Sequence, residues 1–128
     1  MSHFQSWSGQ LLSFLELDDT AELAQEWTLV VNEVICTLVH PVGRGEQFAA
    51  LLLDAGHLEL PADADYLMQA LGRNVENFLN GAPVFIFNTD TMHLLIAQEF
   101  QFDEFSPSVF ASLLDSLTWQ ARAWHKAR

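Results

Sequence analysis

Five histidines carry most of the side-chain chemistry that this sequence could offer, and they are spread along the whole chain. They are His3, His40, His57, His93 and His125. None stands at the i, i+4 or His-x-His spacing that is typical of zinc ligands, and the single cysteine excludes a Cys-x-x-Cys motif. We therefore expect surface or half-buried histidines and no metal site.

The other patterns that could carry catalysis are equally weak. The carboxylate pairs Asp18-Asp19 and Asp63-Ala-Asp65 stand at expected helix entries, where carboxylates act as caps and as partners of the helix dipole. The segment 43–45 is too short for a phosphate-binding loop, and no Gly-x-Ser-x-Gly motif occurs. The sequence thus predicts no catalytic residue and no cofactor, and we expect that the protein is not an enzyme.

The one cysteine, Cys36, lies inside the apolar run 34–39. It has no partner for an intrachain disulfide, and a free cysteine in such a run usually behaves as a small buried hydrophobe. No cation stands near it in sequence to lower its pKa. We expect a buried, unreactive thiol.

Composition narrows the classes of partner. The 128 residues are 50% hydrophobic, and 5 Lys and Arg face 17 Asp and Glu, for a net charge of −12. So few cations cannot neutralise the phosphates of a nucleic acid or bind an anionic membrane surface. The length suits a single domain, 1–128, and the sequence shows neither a signal peptide nor a membrane span. We expect a cytoplasmic protein.

Hydrophobic periodicity predicts the order helix, three strands, helix, two strands, helix. This order defines an α+β fold, α-β-β-β-α-β-β-α, with a twisted antiparallel sheet. The third strand is ambiguous, because its alanines and leucines would also suit a helix. The predicted elements are a helix over 4–17, strands over 27–31, 34–39 and 47–53 with a break at 54–57, a helix over 62–79, strands over 83–87 and 92–98, and a last helix that begins at Ser106-Pro107.

The strands are apolar on both faces, which is unusual for an antiparallel sheet with helices on one side. Val84 and Ile86 point one way while Phe85 and Phe87 point the other, and the first hairpin repeats the pattern. Three helices cover one face of a five-stranded sheet and hardly both. A second copy of the chain, a protein cargo or both would cover the rest; the alternative is a fold in which the helices are split between the two faces.

The order of the predicted elements and several short sequence segments resemble those of the class I chaperones of bacterial type III secretion, the Tir-chaperone-like family. The similarity covers the chain from about Gln10 to Trp124. Two departures are the first turn, Asn32-Glu33, and a glycine, Gly72, inside the second helix. The resemblance is carried by the hairpin Trp27 to Val39, Gly56 to Pro61, the helix positions Leu67, Leu71 and Asn74, Gly81 with Val84 to Asn88, Met92 to Ala97, and the helix Phe110 to Trp124.

The resemblance implies a homodimer that acts without ATP or metal and binds the N-terminal segment of one or more secreted effectors. The effector segment stays extended, soluble and competent for export. By analogy with the family, the effector-binding residues would be Trp7, Leu11, Phe14, Leu29, Val31 and Leu38. The dimer interface would comprise Leu67, Leu71, Val75, Phe78, Val84 and Phe85. For each residue the alternative is an ordinary place in the core of one protomer.

Two other functions remain open on the sequence alone. An acidic immunity or antitoxin-like inhibitor with a similar fold would bind the surface of a folded partner. A small enzyme would need a pocket of converging polar groups, with His93 or Asp90 essential for activity. We expect the high negative charge to keep this apolar, aggregation-prone protein soluble.

Overall fold

Five strands and four α-helices make up the part of the chain described by the computed structural model, which comprises residues 3–14, 26–40 and 47–126. All five strands join one antiparallel sheet. In chain order the elements are α1 (His3–Phe14), β1 (Glu26–Val31), β2 (Val34–Val39), β3 (Phe48–His57), α2 (Ala64–Gly72), α3 (Asn74–Leu79), β4 (Val84–Asn88), β5 (His93–Gln101), a 3₁₀ turn (Phe102–Glu104) and α4 (Pro107–Lys126).

The strand order across the sheet is β1-β2-β3-β5-β4. The predicted α+β class, the antiparallel sheet and both hairpins are confirmed. The last helix begins where Ser106-Pro107 predicted, and the Ser106 hydroxyl accepts the backbone N–H of Val109 at 3.3 Å. The end of the predicted first helix, residues 15–17, and the predicted loop at 41–45 lie outside the described residues.

The first turn docks the β1–β2 hairpin on α4. Asn32 and Glu33 both have positive φ, 51° and 67°, as a tight two-residue hairpin turn requires. The Asn32 amide donates to Asp115 at 2.8 Å and to the hydroxyl of Thr118 at 2.9 Å. The turn is therefore held by side-chain hydrogen bonds from the long helix.

Two predicted elements differ from the structure. The strand predicted over 47–53 is confirmed, and its helical alternative is wrong. The predicted break at 54–57 is also wrong, because β3 continues to His57. A bulge between Asp54 and Gly56 absorbs the irregularity: Gly56 adopts φ 116°, and its N–H donates to the Asp54 carboxylate at 2.8 Å. Polar and glycine residues thus bend this strand without ending it.

The single helix predicted over 62–79 is instead two helices, α2 and α3, separated at Arg73. Asn74 explains the division. Its side chain donates to the carbonyl of Phe85 at 2.8 Å and accepts the N–H of the same residue at 2.7 Å. This pair of bonds ties the start of α3 to β4, which fixes the chain direction there.

The core lies on one face of the sheet, beneath α1 and α4. Phe100 stacks on Phe110 with ring centroids 4.6 Å apart, and Trp7 of α1 meets Phe110 edge-on at 4.9 Å. The indole N–H of Trp7 donates to the carbonyl of Phe105 at 2.8 Å, so its polar atom is satisfied. No described helix is long and apolar enough to cross a membrane.

Candidate protein-binding surfaces

The sheet face opposite α1 and α4 is apolar and only partly covered. We call this the open face, defined by Val30, Ile35, Leu52, Ile86 and Leu95. Val30 is 59% exposed, Ile35 49% and Ile86 44%, although each lies within a strand. Such exposure is uncommon for β-branched residues inside a sheet, since burial is what usually stabilises them.

Strand pairing joins these residues into a row across the sheet. Val30 faces Ile35, and Leu95 faces both Ile86 and Asp54. Leu52, beside this row, faces Ala97. The arrangement confirms the prediction that the helices leave one apolar face uncovered within the described residues.

One polar pair interrupts the apolar row. The Nδ1 atom of His93 lies 3.0 Å from both carboxylate oxygens of Asp54, and the His57 ring lies beside His93 with centroids 5.4 Å apart. Ile35 and Leu95 line the same shallow cavity of about 320 Å³ as this pair. Two of the histidines that are far apart in sequence therefore meet on β3 and β5.

These groups do not form a metal-binding cluster. Within residues 3–14, 26–40 and 47–126, no cluster of three or more His, Cys, Asp or Glu side chains could hold a metal ion. Asp90, which the enzyme hypothesis paired with His93, is exposed in the β4–β5 turn, and it is Asp54 that contacts His93. Chemically, the pair offers a charged or polar contact within an apolar surface.

A second apolar surface lies on α2 and α3. We call it the helical patch, and it consists of Met68, Val75, Phe78 and Leu79. Met68 is 68% exposed, Val75 73%, and Phe78 and Leu79 76% each. Contiguous exposed side chains of this size usually mark a protein contact.

Most of the residues predicted for effector binding lie in the core of the protomer. Leu11 and Leu38 are fully buried, and Trp7 and Leu29 are 8% and 7% exposed. Val31 packs partly buried against the same core. These side chains offer little or no area to a partner in this conformation, and their role in effector binding stays a prediction. Phe14 belongs to α1, and its side chain lies outside the described part of the chain.

The effector-binding residues predicted in the first hairpin, Leu29, Val31 and Leu38, face inward. A signal for the exposed face of the hairpin was present in the sequence. Thr28 faces Thr37 on the same side as Val30 and Ile35, and a pair of hydroxyl side chains favours the face that meets water. Val30 and Ile35 are the residues that this signal would have selected.

The predicted dimer residues divide into two groups. Val75 and Phe78 belong to the exposed helical patch. Leu67, Leu71 and Val84 are partly buried, and Phe85 is 7% exposed because it packs against Trp124 with ring centroids 4.7 Å apart. Met68 and Leu79 extend the patch beyond the predicted set.

Cys36 is fully buried, as predicted. Burial removes the thiol from water and raises its pKa from 9.0 to about 12. The thiolate is therefore suppressed at neutral pH, and this residue has no chemical role in either surface.

This fold is similar to that of chains in several solved complexes, one of them of a type III secretion chaperone. One match at 15% identity is to a chain of the ExsC–ExsE complex, with a TM-score of 0.76, covering 98% of this chain and 96% of that one. Another, at 14% identity, is to the HopA1–SchA chaperone–effector complex, with a TM-score of 0.71 and coverage of 96% and 93%.

The Yersinia pestis type III secretion chaperone SycH, solved with a stable fragment of YscM2, also matches. Its identity is 18% and its TM-score 0.63, with 94% of this chain and 98% of that chain covered. No protein-family model and no curated protein sequence matches this chain. The similarity to the solved structures shows the shared fold.

Proposed function

We propose that this protein is a type III secretion chaperone that binds the N-terminal segment of one or more effectors in the bacterial cytoplasm. It holds the segment extended, soluble and export-competent by stoichiometric binding, without ATP, metal or catalysis. The observation that carries the proposal is the open face, an apolar sheet surface left exposed because α1 and α4 pack on the opposite side. The shared fold supports it, because chains of that fold are bound to partner proteins.

The open face is the proposed effector surface. Full burial of one Val, Leu or Ile side chain contributes about 1.5–3 kcal/mol, so partial burial of five contributes several kcal/mol before the costs of association and of ordering the cargo are subtracted. The Asp54–His93 pair within the row would favour one register of the bound segment, since a polar group left without a partner there costs free energy.

The helical patch is the proposed homodimer contact. Its exposed side chains are Met68, Val75, Phe78 and Leu79, while Leu67 and Leu71 of α2 pack partly buried against the core. Two copies that bury this patch against each other would hide the largest exposed side chains of α3. The open faces would then remain available on both protomers.

The negative charge supports the same function. A net charge of −12 opposes non-specific aggregation of a chain that exposes two apolar surfaces. It also disfavours acidic partners and favours basic segments.

The test compares three tagged forms in the native bacterium: the wild type, Ile35→Asp/Ile86→Asp on the open face, and Val109→Asp on α4. Val109 is 56% exposed, so it is a matched control away from the open face. We expect wild type and the Val109 variant to retain a secreted protein through its N-terminal segment, mapped by limited proteolysis and mass spectrometry. The double variant should lose at least nine-tenths of it.

Equal retention by all three forms would overturn the assignment of the open face. Retention of a fully folded partner, with no protease-sensitive N-terminal segment, would instead indicate the inhibitor function.

A further inference from the structure

A separate cavity of about 520 Å³ lies at one end of the sheet, where the pairing between β4 and β5 ends. Beyond Ala97, the last residues of β5 border this cavity together with α4. Its floor is apolar and consists of Phe100, Phe105, Leu113 and Leu117. We call it the end cavity. Its volume lies in the range of about 300–1,000 Å³ that is usual for binding sites.

The rim of the end cavity is acidic. Glu99 and Glu104 both line it and both are exposed, whereas no Lys, Arg or His is among the described residues that line it. The whole chain has 17 acidic and 5 basic side chains, so the surrounding field adds to this local charge. An apolar floor with an acidic rim complements an apolar side chain that has cations next to it.

Part of the lining of the end cavity lies on the same side of the sheet as the open face. Strand pairing sets Glu99 opposite Ala50 and Gln101 opposite Phe48, and alternation along β3 places these residues on the side of Leu52. The floor residue Phe100 faces the helices instead. A bound chain that lies along the open face and continues past Phe48 and Gln101, at the start of β3 and the end of β5, therefore reaches the mouth of this cavity.

We infer that the end cavity binds an apolar anchor side chain of the partner polypeptide, flanked by Lys or Arg. The inference deepens the proposed chaperone function and rests on it. The anchor enters between β5 and α4 and contacts Phe105 and Leu113, while its basic neighbours remain at the rim near Glu99 and Glu104. The occupant is thus a basic, amphipathic segment rather than an acidic one.

The probe is the synthetic peptide Ac-Gly-Lys-Leu-Phe-Lys-Gly-amide, titrated into the full-length ¹⁵N-labelled protein and followed by amide chemical shifts. A matched peptide carries Glu in place of both Lys. We expect the basic peptide to shift the amides around Phe100, Phe105 and Leu113, and the acidic peptide to bind at least threefold more weakly. Higher salt should weaken the basic peptide selectively.

Three variants locate the contact. Glu104→Lys should weaken the basic peptide about three- to tenfold, since it replaces an attraction at the rim by a repulsion of similar size. Asp90→Lys makes the same charge change at the far end of β5 and should alter the affinity less than about twofold. Leu113→Trp narrows the cavity and should weaken binding of both peptides, with thermal melting as the check of its fold.

No saturable binding of the basic peptide, equal affinity for the two peptides, or shifts confined to the open face would each overturn the inference. The two proposals fail separately. An effector segment that is retained by Glu104→Lys as well as by wild type leaves the chaperone function intact and removes the end cavity from it. Peptide binding in the cavity by a protein that retains no effector segment would contradict the chaperone function.

Discussion

Truncation of Phe78 tests whether the helical patch is a dimer contact. An aromatic side chain buries about 150–250 Å² in an interface. Phe78 is 76% exposed, so roughly 150 Å² remains to be buried on association. At about 25 cal/mol per Å² this corresponds to about 4 kcal/mol for each copy as an upper bound.

A two-fold interface contains the residue twice, while ordering and desolvation costs reduce the net value. We expect Phe78→Ala to weaken the dimer by about 3 kcal/mol or more, which is at least a hundredfold in Kd. The stability of the protomer should change by less than about 0.5 kcal/mol, because an exposed side chain loses few contacts.

The assay is sedimentation equilibrium over a concentration series, with urea unfolding of the same samples. Trp119→Ala is the matched control, since Trp119 is 52% exposed on α4, outside the patch. An unchanged Kd for Phe78→Ala, or a wild-type protein that sediments as a monomer throughout, would refute the assignment of this surface.

Three further predictions concern the fold around these surfaces. Gly56→Ala should destabilise the protein by about 1–3 kcal/mol in thermal melts, because φ at this residue is 116° and an added Cβ would collide with His125. An unchanged melting temperature would contradict the bulge geometry. Asn32→Ala should lower the free energy of unfolding by about 1–3 kcal/mol in urea, because it removes both side-chain bonds from the turn to α4, and a neutral effect would count against that docking. The Cys36 thiol should resist alkylation at about pH 8 until the protein unfolds, since burial raises its pKa to about 12. The pKa of the Cys36 thiol is higher in the folded protein than in the unfolded chain. The stability that this thiol contributes is therefore complete below pH 9.0 and falls by about 1 kcal/mol per pH unit as the pH rises toward 12. Urea unfolding of wild type and Cys36→Ala at alkaline pH measures this loss.

Local patterns in the sequence predicted most of the fold. The two short strands on either side of Asn32-Glu33, and the Ser-Pro start of α4, are short-range signals that survive in the structure. The two-sided apolarity of the strands predicted an uncovered face, because the helices could not supply enough area for both sides. These inferences needed only neighbours along the chain.

What the sequence could not predict depends on contacts between distant segments. Asp54 and His93 are 39 residues apart, and only the pairing of β3 with β5 brings them together. The separation of α2 from α3 depends on the bonds of Asn74 to a strand that follows it.

The most direct test of the account is photo-crosslinking in the native bacterium from the open face. A benzoylphenylalanine residue would replace Ile35 in one strain and Trp119, on the exposed side of α4, in another. We expect position 35 to crosslink to a peptide within the N-terminal segment of a secreted protein, and position 119 to give at least tenfold less of that product. Crosslinks to that segment from position 119 alone, or none from position 35 while a secreted protein is retained, would contradict the open face as the effector-binding surface.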